Sequence, residues 1–421
     1  MTEETVCAYE AILKEELVPA MGCTEPIAIA YAAAKCRELL GTMPNRIEIG
    51  VSGNIIKNVK SVVVPGTGGM RGIEAAVLAG TAAGKAERKL EVISDMGEAE
   101  LAAIHKAAEQ IPIEIKCLDE GNIFDIRVEM YYNEEQSLVR ITGYHTNITC
   151  LEKDHQVIYN ACAEEENKLT DRKILNVKDI LTFAETEDIG RIKELLDRQI
   201  AYNTAIAEEG LRGNYGVSFG KVLLQTYGTG VRNRVKAKAA AGSDARMGGC
   251  EMPVIINSGS GNQGITASVP VIEYAREKGI CRDKTYRALL LSNLLTIHLK
   301  TGIGRLSAYC GAVSAGCAAG AAIAYLEGGD YEAIAHTIVN SLAIVSGIVC
   351  DGAKASCAAK IAFSIDAGII GFDMYKQGKE FKGGDGFVKK GVENTIENVG
   401  KLARYGMKET DKEILQLMLE K

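Results

Sequence analysis

Two pairs of cysteines with the same spacing stand among Gly, Ala, Ser and aliphatic residues in the last third of the sequence. They are Cys310/Cys317 in YCGAVSAGC and Cys350/Cys357 in CDGAKASC. Thiolates are the side chains that hold zinc or iron–sulfur clusters in proteins. Seven residues of ideal helix rise about 10 Å, which is too far for both members of one pair to bind a single zinc ion. A cubane held by three thiolates is therefore favoured over tetrahedral zinc, and burial as small apolar side chains is the alternative.

A further cysteine, Cys23, precedes an Ala-rich helix that is predicted to end at Gly41. Thr24 suits the N-cap of this helix, and Pro26 suits its first turn, where a missing N–H costs nothing. The helix dipole and the free N–H groups at such a terminus lower the pKa of a thiol. The sequence therefore predicts that Cys23 is a reactive thiolate or contacts an anion.

Two glycine-rich turns could bind an anion through their backbone N–H groups. PGTGGMRG at 65–72 is predicted to follow a strand at 60–64 and to open a helix, and the next strand, LEVISD, ends at Asp95. The glycine spacing does not match G-x-G-x-x-G, so a small carboxylate or a tight turn is as well favoured as a nucleotide. The second loop, SGSGNQG at 258–264, opens a helix that contains Pro270.

Two lysines, Lys236 and Lys238, precede this second loop and suggest a different chemistry. A lysine Schiff base with pyridoxal phosphate, beside a loop that grips the substrate, is the main chemical alternative. The pyridoxal phosphate interpretation gives the two cysteine pairs no function.

No Ser-His-Asp pattern and no zinc spacing such as H-E-x-x-H or C-x2-C occurs in the sequence. His145, in GYHTN, is interpreted as a structural histidine.

Composition and charge limit the class of protein. The 421 residues suffice for two or more domains, and 48 basic against 55 acidic side chains give a net charge of −7 without a basic tract. Nucleic acid is therefore not an expected partner. Twelve cysteines and an N-terminus without the pattern of an export signal favour a reducing compartment, so we expect a cytoplasmic protein with few or no disulfides. The uncharged stretch 306–326 is mostly Ala and Gly, and a buried helix is favoured over a membrane span.

The element pattern predicts an α+β fold. Residues 1–160 combine helices with alternating strands within 111–150, which predicts an α/β domain with a mixed sheet; it carries the GCTEP and GTGG turns. Residues 163–173 are a candidate linker, and 175–421 are predicted to be a larger, mostly helical domain. Its predicted helices cover 178–187, 188–209, 217–227, 232–241, 284–300, 306–326, 331–350, 353–371 and a final amphipathic helix to Lys421.

Five motifs, in order, resemble the L-cysteine desulfidase family, which is related to the oxygen-sensitive iron–sulfur L-serine dehydratases. They are GCTEPIAIAYAAA at 22–34, VPGTGGMRGIEAA at 64–76, NSGSGNQG at 257–264, YCGAVSAGCAAGAA at 309–322 and GIVCDGAKASCAAKIA at 347–362. The resemblance covers essentially the whole chain. It implies a smaller α/β domain followed by a helical domain that carries the cluster.

The resemblance also implies roles for the cysteines. Cys310, Cys350 and Cys357 would hold a [4Fe–4S] cluster with one iron free of protein ligands, and Cys317 would be a packing residue. Cys23 would be the catalytic base or a thiol that faces the open iron. The serine dehydratases have Ser-His-Thr where this chain has Cys23-Thr24-Glu25, and some have a C-terminal cysteine that this chain lacks. Both departures favour a desulfidase.

The implied reaction eliminates sulfide from L-cysteine and yields pyruvate, ammonia and hydrogen sulfide, with the open iron as a Lewis acid. A small amino acid is then the expected partner, without nucleic acid or membrane, and a homo-oligomer is possible. The alternatives are an L-serine dehydratase of the same type, the pyridoxal phosphate enzyme and a non-catalytic iron–sulfur sensor. The substrate is expected to contact ten residues of the three turns: Thr24, Glu25, Gly66, Thr67, Gly68, Gly69, Ser258, Ser260, Asn262 and Gln263.

Overall fold

A mixed six-stranded sheet forms the centre of the N-terminal part of the chain. The computed structural model describes residues 1–118, 122–161 and 169–420. The strands are β2 (Arg46–Ser52), β3 (Ile113–Leu118), β4 (Asp125–Tyr132), β5 (Glu135–Thr142), β6 (Ile148–Lys153) and β7 (Gln156–Asn160). Their order in the sheet is β3-β2-β4-β5-β6-β7, in which β2 and β3 run parallel and the other neighbours run antiparallel.

Helices cover one face of this sheet because alternate strand residues are apolar. Ile47, Ile49 and Val51 of β2 are fully buried, as the period of two predicts. The N-terminal helices are α1 (Glu3–Glu16), α2 (Thr24–Leu40), α3 (Gly53–Val59), α4 (Gly72–Ala83) and α5 (Glu98–Gln110). The mixed sheet and the α+β class are confirmed.

Two predicted strands are wrong. Residues 60–64 form a turn after α3, with one isolated bridge between Val63 and Arg71. LEVISD at 90–95 lies in a 3-10 helix (Ala86–Glu91) and the turn that follows. Both segments are short apolar runs whose side chains enter the core from loops, and periodicity cannot separate such runs from buried strands.

The C-terminal part is helical. Its helices are α6 (Val177–Thr186), α7 (Lys193–Arg212), α8 (Phe219–Tyr227), α9 (Val231–Met247), α10 (Gly261–Glu277), α11 (Arg282–Thr301), α12 (Gly311–Leu326), α13 (Tyr331–Val345), α14 (Cys357–Lys376), α15 (Val392–Lys401) and α16 (Lys408–Leu419). The α12 helix is buried on nearly all sides, and its Gly320 packs directly against Gly368 of α14. Among the described helices, none has both the length and the apolar character needed to cross a bilayer.

The predicted helix bounds differ where the chain changes direction. The helix expected from 306 begins at Gly311, because the chain bends at 305–308 and Tyr309 pairs with Val349. The expected final helix is two helices, α15 and α16, joined by a π-turn at Leu402–Gly406. Of the candidate linker, residues 163–168 lie outside the described residues, and Arg172–Ile174 form a 3-10 turn. The division into two domains stays a prediction.

A second, small sheet connects the two parts of the chain. Strand β1 (Pro19–Met21) pairs antiparallel with β8 (Pro253–Ile255). Neither strand was predicted, since three residues carry almost no pattern. The pairing places the turn at Gly22 and Cys23 beside the loop that begins at Asn257.

Candidate active site

Cys310 and Cys350 are held side by side by backbone pairing. The Cys310 N–H donates to the Ile348 carbonyl (3.1 Å), and the Cys350 N–H donates to the Ala308 carbonyl (2.6 Å). Cys310 precedes the first residue of α12, and Cys357 is the first residue of α14. The starts of α12 and α14, together with the loop before α14, therefore bring three cysteines to one place. Cys350 follows Cys310 by 40 positions in the sequence, and Cys357 follows Cys350 by 7.

The loop between Cys350 and Cys357 rests on helix α3. Gly352 has a φ of +93°, which favours glycine, and a Cβ there would lie 2.2 Å from the Lys57 carbonyl oxygen. Any other residue would push this loop away from α3. The close approach thus fixes the cysteine loop against the segment that also carries Asn58.

All four predicted functional cysteines line one cavity of about 100 Å³: Cys23, Cys310, Cys350 and Cys357. Small residues between the cysteines, including Gly311, Ala312 and Ala353, form part of the wall. Cys317 is fully buried but is not among the lining residues, which agrees with a packing role. Cys23, Cys310, Cys317, Cys350 and Cys357 form no disulfide.

The thiol of Cys23 has a raised pKa, so the predicted lowering is wrong. Cys23 precedes α2 and is 3% exposed, and its Sγ donates to Glu25 Oε2 (3.1 Å). Burial and the neighbouring Glu25 carboxylate raise the pKa well above the usual value of a thiol, although Arg246 acts in the opposite direction. Desolvation and a like charge thus outweigh the helix dipole. Cys23 is a neutral thiol whose proton points at a carboxylate.

Glu25 is the centre of a buried hydrogen-bond network. Besides Cys23, the Thr24 hydroxyl donates to Oε2 (3.2 Å), and the Asn58 amide donates to Oε1 (3.1 Å). The side chain is 8% exposed and lines the cavity. Three donors hold this carboxylate in place, and Asn58 is a contributor that the sequence did not reveal.

The loop at 258–264 supplies part of the cavity wall. Ser260, Asn262 and Gln263 line the cavity, as predicted for substrate contacts. Ser258 lines a neighbouring pocket, and its hydroxyl donates to Asn257 Oδ1 (2.8 Å). Thr24 is not among the lining residues, since its hydroxyl also donates to the Gly259 carbonyl (2.9 Å) and ties the two turns together.

The glycine turn of Gly66, Thr67, Gly68 and Gly69 is not brought to the cavity. The Thr67 hydroxyl donates to the Val64 carbonyl (2.7 Å) within its own turn. A Cβ at Gly66 would lie 2.5 Å from the Met96 side chain, and one at Gly68 would lie 3.4 Å from Leu101. Gly69 is exposed and has open space around it. None of the four residues lines the cavity, so the geometry gives no support to their predicted substrate contacts.

Comparison with known proteins identifies the family. The family model described as "Serine dehydratase alpha chain" matches residues 87–416. The chain belongs to this family. UPF0597 proteins of Desulfitobacterium hafniense (59% identity, 98% of this chain and 96% of the relative), Lachnoclostridium phytofermentans (52%, 97% and 98%) and Treponema denticola (49%, 98% and 97%) are similar over nearly their whole lengths.

Membership of the serine dehydratase alpha chain family indicates a lyase related to the iron–sulfur serine dehydratases. The chemistry of the cavity wall fits such a cofactor. Burial raises the pKa of Cys310 to about 12. The neighbouring Cys350 and Cys357 act in the same direction, and Lys360 acts in the opposite one. Thiols with raised pKa values must lose protons when they bind a metal group, and cations beside them offset the charge that results.

A single metal ion fits this wall less well than a cluster. Among the residues that the structure describes, no three His, Cys, Asp or Glu side chains are close enough to hold one ion. The sulfurs that hold a cubane lie on different corners of a larger group, so they stand farther apart. Cys310, Cys350 and Cys357 around one cavity meet that requirement in donor type and number.

Three cations on the cavity wall were missed by the sequence analysis: Arg246, Lys300 and Arg305. Burial lowers the pKa of Lys300 to about 8, partly opposed by Cys350 and Cys310. Arg246 lies in the last turn of helix α9, in the sequence ARMGG, five residues beyond the predicted helix end at 241. The available signal was a charged residue at the end of an Ala-rich helix, which by itself is also typical of a solvated helix terminus.

The lysines of the pyridoxal phosphate alternative are engaged elsewhere. Lys236 forms an ion pair with Asp366 (2.8 Å) and Lys238 one with Glu273 (2.9 Å). Neither lysine lines the cavity with the four cysteines. Their positions on α9 give them a structural role.

Proposed function

We propose that this chain is an iron–sulfur-dependent lyase that eliminates sulfide from L-cysteine to give pyruvate, ammonia and hydrogen sulfide. The observation that supports this most is the convergence of Cys310, Cys350 and Cys357 with Cys23 on one cavity. Three of these residues suit a cluster, and the fourth has a carboxylate that can take its proton. The presence of Cys23-Thr24-Glu25 where serine dehydratases have Ser-His-Thr favours L-cysteine over L-serine.

Cys310, Cys350 and Cys357 would hold a [4Fe–4S] cluster, which supplies a Lewis-acidic iron to the leaving sulfur when it is bound. The residues of the chain around it bind and orient the substrate and move its α-proton. Most of the cavity wall is buried, which keeps bulk water from the reacting atoms.

Cys23 and Glu25 are the proposed base. Transfer of the Cys23 proton to Glu25 Oε2, 3.1 Å away, leaves a thiolate that can accept the α-proton of the substrate. As the Cα–H bond breaks, its electrons form the Cα=Cβ bond, and the Cβ–S bond breaks with its electrons on sulfur. The resulting 2-aminoacrylate takes up a proton at Cβ to become an imine, and water hydrolyses this imine to pyruvate and ammonia.

An anaerobic preparation tests this proposal. Protein reconstituted with iron and sulfide should contain about four of each per chain, release equal amounts of sulfide and pyruvate from L-cysteine, and lose activity in air. Cys23→Ser should keep the iron and sulfide content but lose turnover. The matched control is Cys281→Ser at an exposed cysteine, which should change neither. Colourless protein with full activity would refute the proposal.

L-Serine is the second candidate substrate, because the matching family model is described as a serine dehydratase alpha chain. Turnover of both amino acids on one preparation decides between them. Borohydride treatment tests the pyridoxal phosphate alternative, which requires a reduced adduct on Lys236 or Lys238. The cytoplasmic location and the homo-oligomer stay predictions from the sequence.

A further inference from the structure

One arginine of the cavity wall is buried without a partner. Arg246 is 2% exposed, and its Nε has no hydrogen-bond partner. Within the described residues, no carboxylate forms an ion pair with it. A buried, uncompensated charge costs several kcal/mol, so such a side chain calls for an anion that binds to it.

A second arginine reaches the same cavity. Arg305 lines it as well. Its side chain remains about one-third exposed, donates one long hydrogen bond to Glu16 (3.4 Å) and lies over the Tyr144 ring (5.6 Å to the ring centre). Arg305 therefore keeps guanidinium N–H groups available. Two guanidinium groups on one wall form a site for a carboxylate, the anion whose shape matches their donors best.

The glycines of the 258–264 loop are what allow both arginines to approach. A Cβ on Gly261 would lie 2.3 Å from Arg246 Nε, and one on Gly259 would lie 3.2 Å from Arg305 Nη1. A side chain at position 261 would displace the Arg246 guanidinium group, and one at position 259 would crowd both His145, at 3.0 Å, and Arg305. Glycine at position 261 is thus explained by the packing of Arg246 on the loop.

Acceptors without partners lie beside these donors. Asn262 Oδ1 and Gln263 Oε1 are both buried and lack a hydrogen-bond partner among the described residues. The Gln263 amide presses against Gly311, next to Cys310, since a Cβ on Gly311 would lie 2.6 Å from Gln263 Cδ. Donors for an anion and acceptors for a cation therefore share one wall, as recognition of a zwitterion requires.

We propose that Arg246 and Arg305 bind the α-carboxylate of the substrate and that the amide oxygens of Asn262 and Gln263 bind its α-ammonium group. The site then selects free α-amino acids and rejects their amides and the amines that lack a carboxylate. This inference rests on the proposed function and deepens it, because it names the part of the substrate that each group recognises.

Binding of a non-reacting amino acid tests this inference separately from turnover. L-Alanine has no leaving group, so its affinity for the reconstituted enzyme can be measured by calorimetry. We expect L-alanine to bind and L-alaninamide to bind at least tenfold more weakly. Arg246→Gln should weaken L-alanine binding by roughly 10- to 100-fold, the effect of one charge-assisted hydrogen bond or more, and should reduce the preference over the amide.

Two further variants complete the experiment. Arg198→Gln removes one positive charge from an exposed position of α7 that does not line the cavity, and it should leave L-alanine binding unchanged. Arg246→Ala leaves a space for the missing group, so added guanidinium chloride at millimolar concentration should restore part of the L-alanine affinity. Rescue of this kind would not be produced by a merely structural role.

The outcomes distinguish the inference from the proposed function. Sulfide release from L-cysteine by the unchanged enzyme, together with wild-type L-alanine binding in both Arg246→Gln and Arg305→Gln, would overturn the inference and leave the function standing. An unchanged enzyme that releases neither sulfide nor pyruvate would instead refute the function. The partly exposed Arg305 keeps the test valid if the buried variant fails to fold.

Discussion

The C-terminal helix α16 is attached to the segment of α3 by a buried ion pair, by a hydrogen bond from Lys60 Nζ to the Met418 carbonyl and by the packing of Leu415 on Gly53. Lys57 Nζ, on α3, donates to Asp411 Oδ1, on α16. The Lys57 side chain is 1% exposed, whereas that of Asp411 is 17% exposed. Helix α16 has no fully buried residue of its own. We expect Asp411→Ala to release this helix.

The magnitude follows from the burial of Lys57. Removal of one partner of a buried ion pair costs about 3–5 kcal/mol, and the partial exposure of Asp411 favours the lower end of that range. The contact of Leu415 with Gly53 is the main apolar attachment, and a half-buried leucine contributes about 1–2 kcal/mol. A 12-residue helix is marginal in isolation. A loss of about 3 kcal/mol therefore shifts α16 roughly 100-fold toward the released state.

Hydrogen exchange followed by mass spectrometry measures this shift. The amides of Lys408–Leu419 should exchange roughly 100-fold faster in Asp411→Ala than in the unchanged protein, while those of α12 keep their protection. The matched control is Asp283→Ala, which removes an exposed pair with Arg287 worth at most about 1 kcal/mol. Equal exchange of α16 in all three proteins would refute the reasoning.

Two other perturbations have effects of defined sign. Burial lowers the pKa of His145 to about 4, so as the pH falls below about 6.5 the unfolded state binds a proton before the folded state does, and stability drops. Between pH 7.5 and 4.5, the free energy of unfolding measured with urea should fall about 2–3 kcal/mol more in the unchanged protein than in His145→Phe. Parallel curves of stability against pH for the two proteins would contradict this. Gly264→Ala puts a Cβ 2.1 Å from the Ile255 carbonyl oxygen and should cost at least about 1–3 kcal/mol, whereas Gly347→Ala, with open space around it, should be nearly neutral in the same assay.

The sequence predicted best those parts in which a long pattern is repeated. Helices such as α11 and α12 carry apolar residues over four or more turns, and only their ends were misplaced. The grouping of the three proposed cysteine ligands followed from the resemblance of the motifs to a known family, because thiols among small residues can also simply pack in a core. Cys310, Cys350 and Cys357 lie on one cavity as the motifs imply.

The errors share a physical cause, which is that they depend on contacts between distant segments. The apolar run at 60–64 has the composition of a strand, but within the described part of the chain it forms only one isolated bridge, between Val63 and Arg71. The pKa of Cys23 depends on burial and on Glu25, whereas the sequence shows only the helix terminus that opposes them. Arg246 becomes informative only once its lack of a counter-ion is known.

The pairing of Pro19–Met21 with Pro253–Ile255 has a consequence for biosynthesis. Ribosomal synthesis makes Cys23 and Glu25 before β8, the strand that pairs with β1, and it makes Cys357 later still. The three thiols that we propose as cluster ligands are therefore complete only after Cys357 has been synthesised. A product that stops before Cys350 would retain Glu25, the proposed proton acceptor, but lack two of the three thiols proposed to hold the metal.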